Sequence, residues 1–241
     1  MRNIISLNEG WQFSKDCATT AHNDSAVAVN LPHTWNATDG QDGGNDYFRG
    51  SCLYTKKLVK SELPEADQYY LEIQGANSSA DVYVNGEHKA HHDGGYSTWR
   101  VNLTDSMGDE CEVAIVVDNA PNETVYPQMA DFTFYGGLYR NVNLVAVSST
   151  HFDLDYFGGK GLMVTPIVDG ANANVEAKVF VTDMQSGDEV KYTVLDKEGN
   201  ELQTLTTADT TTNFTLENVH LWNGLKDPYL YTRRSSPTGL M

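Results

Sequence analysis

Residues 131 to 140 bring together the side chains that binding chemistry needs. Four aromatic rings, two adjacent glycines, one carboxylate and one guanidinium fall within ten positions, in the order Asp131, Phe132, Thr133, Phe134, Tyr135, Gly136, Gly137, Leu138, Tyr139, Arg140. Flat apolar rings beside a hydrogen-bonding carboxylate suit a sugar, which offers C–H faces and hydroxyl edges together. The alternative is a loop whose rings fill the end of a β-sandwich, because buried aromatic residues usually serve packing.

A second group of polar side chains raises the question of a metal site. His88, His91, His92 and Asp93 lie within six positions of one another. Adjacent residues of a strand face opposite sides, so His91 and His92 would not converge on one ion. We predict no metal site there, and no cofactor anywhere in the chain.

The bulk composition narrows the classes of partner. The chain has 241 residues, three cysteines and a formal net charge of −17. Such acidity repels phosphates and anionic lipids, so neither nucleic acid nor a membrane is an expected partner. Three scattered cysteines indicate no disulfide framework and no zinc site. No long apolar stretch follows Met1, so we expect a cytoplasmic protein unless a signal peptide has been removed.

Short strands broken by Gly, Asn and Asp dominate the first part of the chain. Several alternate apolar and polar residues, as half-buried strands do; they are Cys52 to Val59, Gln68 to Gln74, Ala80 to Asn85, Glu112 to Asp118 and Asn141 to Val147. Asn85-Gly86 is a strong hairpin signal. No amphipathic helix of three turns is evident, so the sequence predicts an all-β fold with a jelly-roll sandwich over residues 1–148.

After Ser148 the pattern becomes plainer. Strands are predicted at regular spacing, at His151 to Tyr156, Leu162 to Val168, Asn174 to Thr182, Glu189 to Leu195, Glu201 to Thr206 and Thr212 to Leu216. This spacing favours an immunoglobulin-like sandwich over residues 149–232. The pattern then ends, and residues 233–241 are expected to be a tail, not a strand.

Five blocks in fixed order resemble the N-terminal region of glycoside hydrolase family 2, which includes β-galactosidases and β-glucuronidases. The blocks span almost the whole chain, and they are Leu7 to Phe13 (LNEGWQF), Leu31 to Asn36 (LPHTWN), Val82 to Gly86 with His92 to Tyr96 (VYVNG and HDGGY), Asp131 to Arg140 (DFTFYGGLYR), and Leu221-Trp222 with Asp227 to Tyr231 (LW and DPYLY). Each block alone is weak, but five in the family order are specific.

The resemblance implies both a fold and an activity. Family members carry a jelly-roll domain, an immunoglobulin-like domain and then a TIM barrel with two catalytic glutamates, and they hydrolyse β-linked glycosides with retention, which needs two carboxyls about 5 Å apart. A barrel needs roughly 250 residues, and none follows Met241 here. We therefore expect a fragment that lacks the last strands of its second sandwich, contains no catalytic residue and is inactive alone. Its parent would act on a β-galactoside.

The resemblance also implies roles for particular residues. An aspartate at the position of Asp131 binds sugar hydroxyls over the barrel mouth, although the same carboxylate could instead cap nearby backbone N–H groups. Family members bring an Asn or Asp from the glycine-rich loop between Trp35 and Phe48 to the substrate. Asn45 and Asp46 are the candidates, and a solvated connection is the alternative for that loop.

Other residues of these blocks are assigned structural roles. His92 belongs to a turn, Gly136 and Gly137 form the turn of the 131–140 block, and Arg140 is expected to hold the Asp131 loop by a carboxylate or carbonyl contact.

Two other kinds of protein remain as alternatives. One is a stand-alone carbohydrate-binding module with no catalytic partner domain, and the other is a structural pair of sandwiches with no ligand. An incomplete second sandwich would expose a strand edge, which allows the chain to form a homo-oligomer.

Overall fold

The computed structural model describes residues 2–39, 47–126, 130 and 132–238, with backbone only for 233–238. These residues divide into two compact units, 1–148 and 149–241. The described residues form eighteen strands and only two short 3₁₀ turns. The all-β prediction is confirmed.

The first unit is a sandwich of two antiparallel sheets. One sheet has four strands in the order β1-β10-β5-β8: β1 Asn3–Ser6, β5 Gln68–Ile73, β8 Trp99–Asn102 and β10 Val142–Val147. The other has six in the order β3-β2-β4-β9-β6-β7: β2 Trp11–Ser14, β3 Val27–Val29, β4 Ser51–Val59, β6 Ser79–Val84, β7 Glu87–Asp93 and β9 Glu110–Asp118. The non-sequential strand order means that long connections cross between the sheets, and these connections carry the site.

Alternation along the strands explains the core of the first unit. Leu71, Ile73 and Leu144 of one sheet join Val82 and Ile115 of the other in a single buried cluster, and all five are fully buried. The predicted hairpin is present between β6 and β7. Asn85 and Gly86 have φ values of +51° and +82°, as a type I′ turn requires at both central positions.

The second unit contains three smaller sheets. Their orders are β11-β14, β12-β13-β17 and β16-β15-β18, and the strands are β11 His151–Phe152, β12 Leu162–Asp169, β13 Asn172–Val179, β14 Val181–Thr182, β15 Glu189–Leu195, β16 Glu201–Thr207, β17 Thr211–Leu216 and β18 Thr232–Thr238. The core is small: Ala177, Val179, Val190 and Tyr192 form its buried cluster. Val164 and Val168, which lie opposite buried residues of β13, remain 43% and 48% exposed.

Two predictions for the second unit need correction. Residues 233–238, expected to be a tail, belong to β18 and pair antiparallel with β15. Backbone hydrogen bonds need no apolar side chains, and β18 lies at a sheet edge, where Pro237 is tolerated. The predicted strand from Asn174 to Thr182 is interrupted at Phe180, whose N–H donates to the carbonyl of Gly161; β14 then pairs with β11 instead of continuing its sheet.

Candidate functional site

The three predicted substrate-binding residues, Asp131, Asn45 and Asp46, lie outside the described residues. Their roles stay predictions. The structure does describe the remainder of the block, from Phe132 to Arg140, and the side of the Trp35–Phe48 loop that meets it.

The two glycines of the 131–140 block pack closely against the Leu31–Asn36 block. A Cβ on Gly136 would lie 1.9 Å from the Trp35 ring, and one on Gly137 would lie 2.4 Å from the His33 carbonyl oxygen. Gly137 also has a φ of +125°, a backbone conformation that favours glycine. The backbone of Gly137 forms an antiparallel bridge with Asn77. No larger residue fits either position without displacing this contact.

A neutral histidine–tyrosine pair lies beneath the glycine turn. The backbone N–H of His33 donates to the Leu138 carbonyl at 2.9 Å. The ring nitrogen Nδ1 of His33 lies 2.7 Å from the Tyr54 hydroxyl. Burial lowers the pKa of His33 and raises that of Tyr54, so both groups favour their neutral forms. The hydrogen bond between the Tyr54 hydroxyl and Nδ1 of the neutral imidazole holds the ring under the turn.

Asn119 is the buried centre of the loop network. Its Nδ2 donates to the carbonyl of Phe134 at 2.9 Å and to Oδ1 of Asn36 at 3.2 Å. Its Oδ1 accepts the N–H of Gly50 at 2.9 Å. Asn36 Oδ1 in turn accepts the N–H of Gly136 at 2.8 Å. One amide therefore joins three loops that are far apart in sequence.

An aromatic cleft of about 470 Å³ lies beside these packed loops. Its rim is formed by rings that water reaches, since Phe132 is 57% exposed, Tyr96 54% and Tyr135 48%. Its full lining is Thr34, Asn77, Tyr96, Phe132, Thr133, Phe134, Tyr135 and Tyr139. None of these described lining residues carries a charge. We call this cavity the aromatic cleft.

Arg140 and Tyr139 hydrogen-bond to backbone carbonyls at another side of the cleft. Arg140 Nη1 donates to the carbonyl oxygens of Tyr96 at 2.9 Å and Gln74 at 3.4 Å. The Tyr139 hydroxyl donates to the carbonyl of Gly95. Among the described residues, Arg140 therefore hydrogen-bonds carbonyls of two other segments and lies over the Tyr139 ring. Its contact with the Asp131 loop stays a prediction.

The histidines of β7 divide between its two faces. His92 stacks on Trp99 with ring centroids 4.9 Å apart, and Nε2 of His92 lies 3.0 Å from the Ser97 hydroxyl. His91 lies on the other face, between the carboxylates of Asp81 and Asp93. The part of the chain that the structure describes contains no cluster of His, Cys, Asp and Glu able to hold a metal ion.

A larger groove, of about 620 Å³, lies elsewhere on the first unit. It is lined by the ends of β1 and β4, with no aromatic ring among its lining residues. Lys56 beside it donates to the carbonyl of Glu9 at 2.6 Å. We place the candidate site at the aromatic cleft, because four of its lining rings belong to the 132–140 segment that the sequence singled out.

Sequence reasoning identified the aromatic rings and the glycines but not the asparagines that hold them. Asn36 lies within the Leu31–Asn36 block, whereas no sequence pattern marks Asn119 or Asn77. Asn77 Nδ2 donates to the carbonyl of Tyr135 at 2.8 Å. Their contacts join residues 58 and 15 positions apart, which no local pattern reports.

The described lining of the aromatic cleft offers ring faces and hydroxyl groups for binding, and it contains no carboxylate, thiol or histidine. In the described part of the chain, no helix is sufficiently long and apolar to cross a membrane.

Comparison with known proteins identifies relatives of the chain. Residues 160–236 match the model of the glycosyl hydrolases family 2. A β-glucuronidase of Bacteroides fragilis is 32% identical over 95% of the chain, and a β-galactosidase of Thermoanaerobacterium thermosulfurigenes is 28% identical over 96%. The crystal structure of an FMN-binding β-glucuronidase from Facaelibacterium prausnitzii L2-6 is 40% identical over 99% of the chain, with a TM-score of 0.89.

The chain spans about a third of the length of these relatives. It covers 34% of each of the two curated proteins and 37% of the crystallised one. Their shared part includes both sandwiches of this chain.

Proposed function

The chain belongs to the glycosyl hydrolases family 2, and from that premise we propose that its first sandwich supplies one wall of the substrate site of a retaining β-glycosidase. The observation that carries the proposal is the aromatic cleft, which the Asn119 network supports and four of whose rings follow Asp131 in the sequence. Chemistry would come from two carboxylates of a catalytic barrel, which are not part of this chain. The second sandwich would brace that barrel.

Within this proposal Asp131 binds and does not react. An ionised carboxylate accepts two hydroxyl hydrogen bonds at once, which fixes the orientation of a sugar. Asn45 and Asp46 are proposed to approach the same sugar from the other loop. Both loops meet at the described Asn36–Gly136 contact, and this shared anchor supports their convergence.

The sugar is proposed to be either a β-glucuronide or a β-galactoside. The sequence blocks pointed to a galactoside, whereas the names of the relatives divide between the two. A glucuronide carries a carboxylate that needs a cation or several donors. The described lining of the aromatic cleft has no cation, so on this proposal the choice between the sugars is made outside the cleft.

A hydrolysis assay tests the proposal. The whole protein that the gene encodes should release nitrophenol from 4-nitrophenyl β-glucuronide or 4-nitrophenyl β-galactoside, and the ratio of kcat/KM values identifies the sugar. The 241-residue chain alone should release none. Stoichiometric turnover by the purified chain, or no turnover of any β-glycoside by the whole protein, would contradict the proposal.

The second candidate, a stand-alone carbohydrate-binding module, is favoured by the exposed rings at the rim of the cleft. Calorimetry of the chain with methyl β-galactoside and methyl β-glucuronide separates the two. Tight binding of these simple glycosides to the chain alone supports a module, whereas a subsite that needs the barrel binds them weakly or not at all.

A further inference from the structure

We infer that the aromatic cleft receives the aglycone of the substrate, and that this aglycone is a flat apolar ring. The inference rests on the proposed function and adds the chemical class of the leaving group. The first observation is the lining itself. Rings of Phe132, Tyr135 and Tyr96 expose their surfaces into a cavity of about 470 Å³, within the size of small-molecule sites, roughly 300 to 1,000 Å³.

The second observation is that the accessible surface of the cleft lining is mostly apolar, and several of its polar groups are already hydrogen-bonded. Asn77 Nδ2 donates to the Tyr135 carbonyl at 2.8 Å, the Tyr139 hydroxyl donates to Gly95, and the Thr34 hydroxyl accepts the N–H of Asn36 at 3.2 Å. A sugar ring placed here would bring several hydroxyls to a wall that is mostly apolar. Unpaired hydroxyls are costly to bury, so this wall disfavours a sugar.

An aromatic aglycone meets no such cost. It has few hydrogen bonds to lose, and its faces stack on exposed rings in offset or edge-to-face geometry. Phe132 and Phe134 already adopt a tilted arrangement with centroids 5.1 Å apart, and Phe134 is fixed beneath by Asn119. The cleft is therefore a preformed ring-binding surface.

The position of the cleft fits this division of labour. Phe132 directly follows Asp131 in the sequence, so a sugar held by the proposed carboxylate would leave its aglycone within reach of the neighbouring rings. The described rings of the cleft would bind the leaving group.

Binding measurements on the 241-residue chain test the inference. Titrations followed by NMR would compare 4-nitrophenyl and methyl β-glycosides of galactose and glucuronic acid, with free 4-nitrophenol as the isolated ring. We expect the nitrophenyl glycosides and nitrophenol to bind at millimolar concentration and the methyl glycosides to bind at least about threefold more weakly. Phe132→Ala and Tyr135→Ala should each weaken aryl binding about three- to tenfold.

The two variants are suitable because their rings are exposed and their loss does not empty a core. Phe157→Ala is the matched control, since Phe157 is 89% exposed and does not line the cleft; it should leave aryl binding unchanged. Equal binding of methyl and aryl glycosides, unchanged aryl binding in both cleft variants, or no aryl binding at millimolar ligand would overturn the inference. Failure of the proposed function is a separate result, because the whole protein would then cleave no β-glycoside whichever ligand the chain binds.

Discussion

Replacing Asn119 by alanine removes the amide on which the cleft loops converge. Asn119 is fully buried, and the variant leaves the N–H of Gly50 and the carbonyl of Phe134 without this partner. Each buried polar group that loses its hydrogen bond costs about 1–3 kcal/mol. Asn36 Oδ1 retains the N–H of Gly136 and adds little. The expected loss in the free energy of unfolding is therefore about 2–6 kcal/mol.

The assay is denaturant unfolding of the chain followed by tryptophan fluorescence. Trp11, Trp35 and Trp99 are buried in the first unit, so their emission reports on the sandwich that contains the mutation. Asn122→Ala is the matched control. Asn122 lies on the same connection, but its bonds to Ser79 and Asp93 are partly exposed, and water replaces them at a cost below about 1 kcal/mol. If Asn119→Ala costs no more than Asn122→Ala, the network does not hold the loops.

Three further predictions concern the same unit. Gly136→Ala should destabilise the chain by about 1–3 kcal/mol, because the new methyl group would lie 1.9 Å from the Trp35 ring. Gly108→Ala, whose Cβ meets nothing closer than 3.6 Å, is the control in the same melting experiment. Equal melting temperatures for the two variants would contradict the packing argument. Burial alone would raise the pKa of Glu72, but hydrogen bonds from Asn143 and Arg100 outweigh it and lower that pKa. Glu72 thus contributes stability that is present above its ordinary pKa of 4.5 and lost as the pH falls through its lower folded value. Glu72→Gln should cost about 3 kcal/mol at pH 7 because Arg100 is left buried without its carboxylate, and should flatten the acid limb of stability against pH; an acid limb as steep as in Glu123→Gln would refute this. The hydrogen bond to Asp81 raises the pKa of His91 despite some burial, so its contribution is present below 6.5 and lost as the pH rises through the raised value. His91→Gln should lack that alkaline loss, and an unchanged pH profile by thermal melting would show that the bridge contributes nothing.

Strand positions were largely predictable because alternation is a local property. The positions of β4 and β9, predicted at Cys52 to Val59 and Glu112 to Asp118, and the Asn85-Gly86 turn follow from residues within each segment, whereas the pairing of β4 with β9 does not. The edge strand β18 was missed because its pairing with β15 depends on backbone hydrogen bonds and not on an apolar pattern. The break at Phe180 was missed for a related reason, since it reflects a change of partner strand.

The site was predictable only where chemistry shows in the residue type. The aromatic rings and adjacent glycines of the 131–140 block are evident in the sequence, and the structure places the four rings around one cleft. What holds that cleft is a set of ordinary asparagines whose roles come from three-dimensional convergence. The close packing of Gly136 against Trp35 could not be predicted from the sequence either, because it joins two blocks about a hundred positions apart.

The most direct test of the central claim is the effect of Asp131→Asn on the whole protein that the gene encodes. If the first sandwich forms a wall of the substrate site, kcat/KM for the preferred nitrophenyl glycoside should fall at least about tenfold, since a charge-assisted hydrogen bond contributes about 1.5–3 kcal/mol. The thermal melt should be unchanged, and Glu123→Gln, which removes an exposed carboxylate of the same unit, should retain full activity. An Asp131→Asn enzyme with kcat/KM equal to that of the wild type would contradict the account.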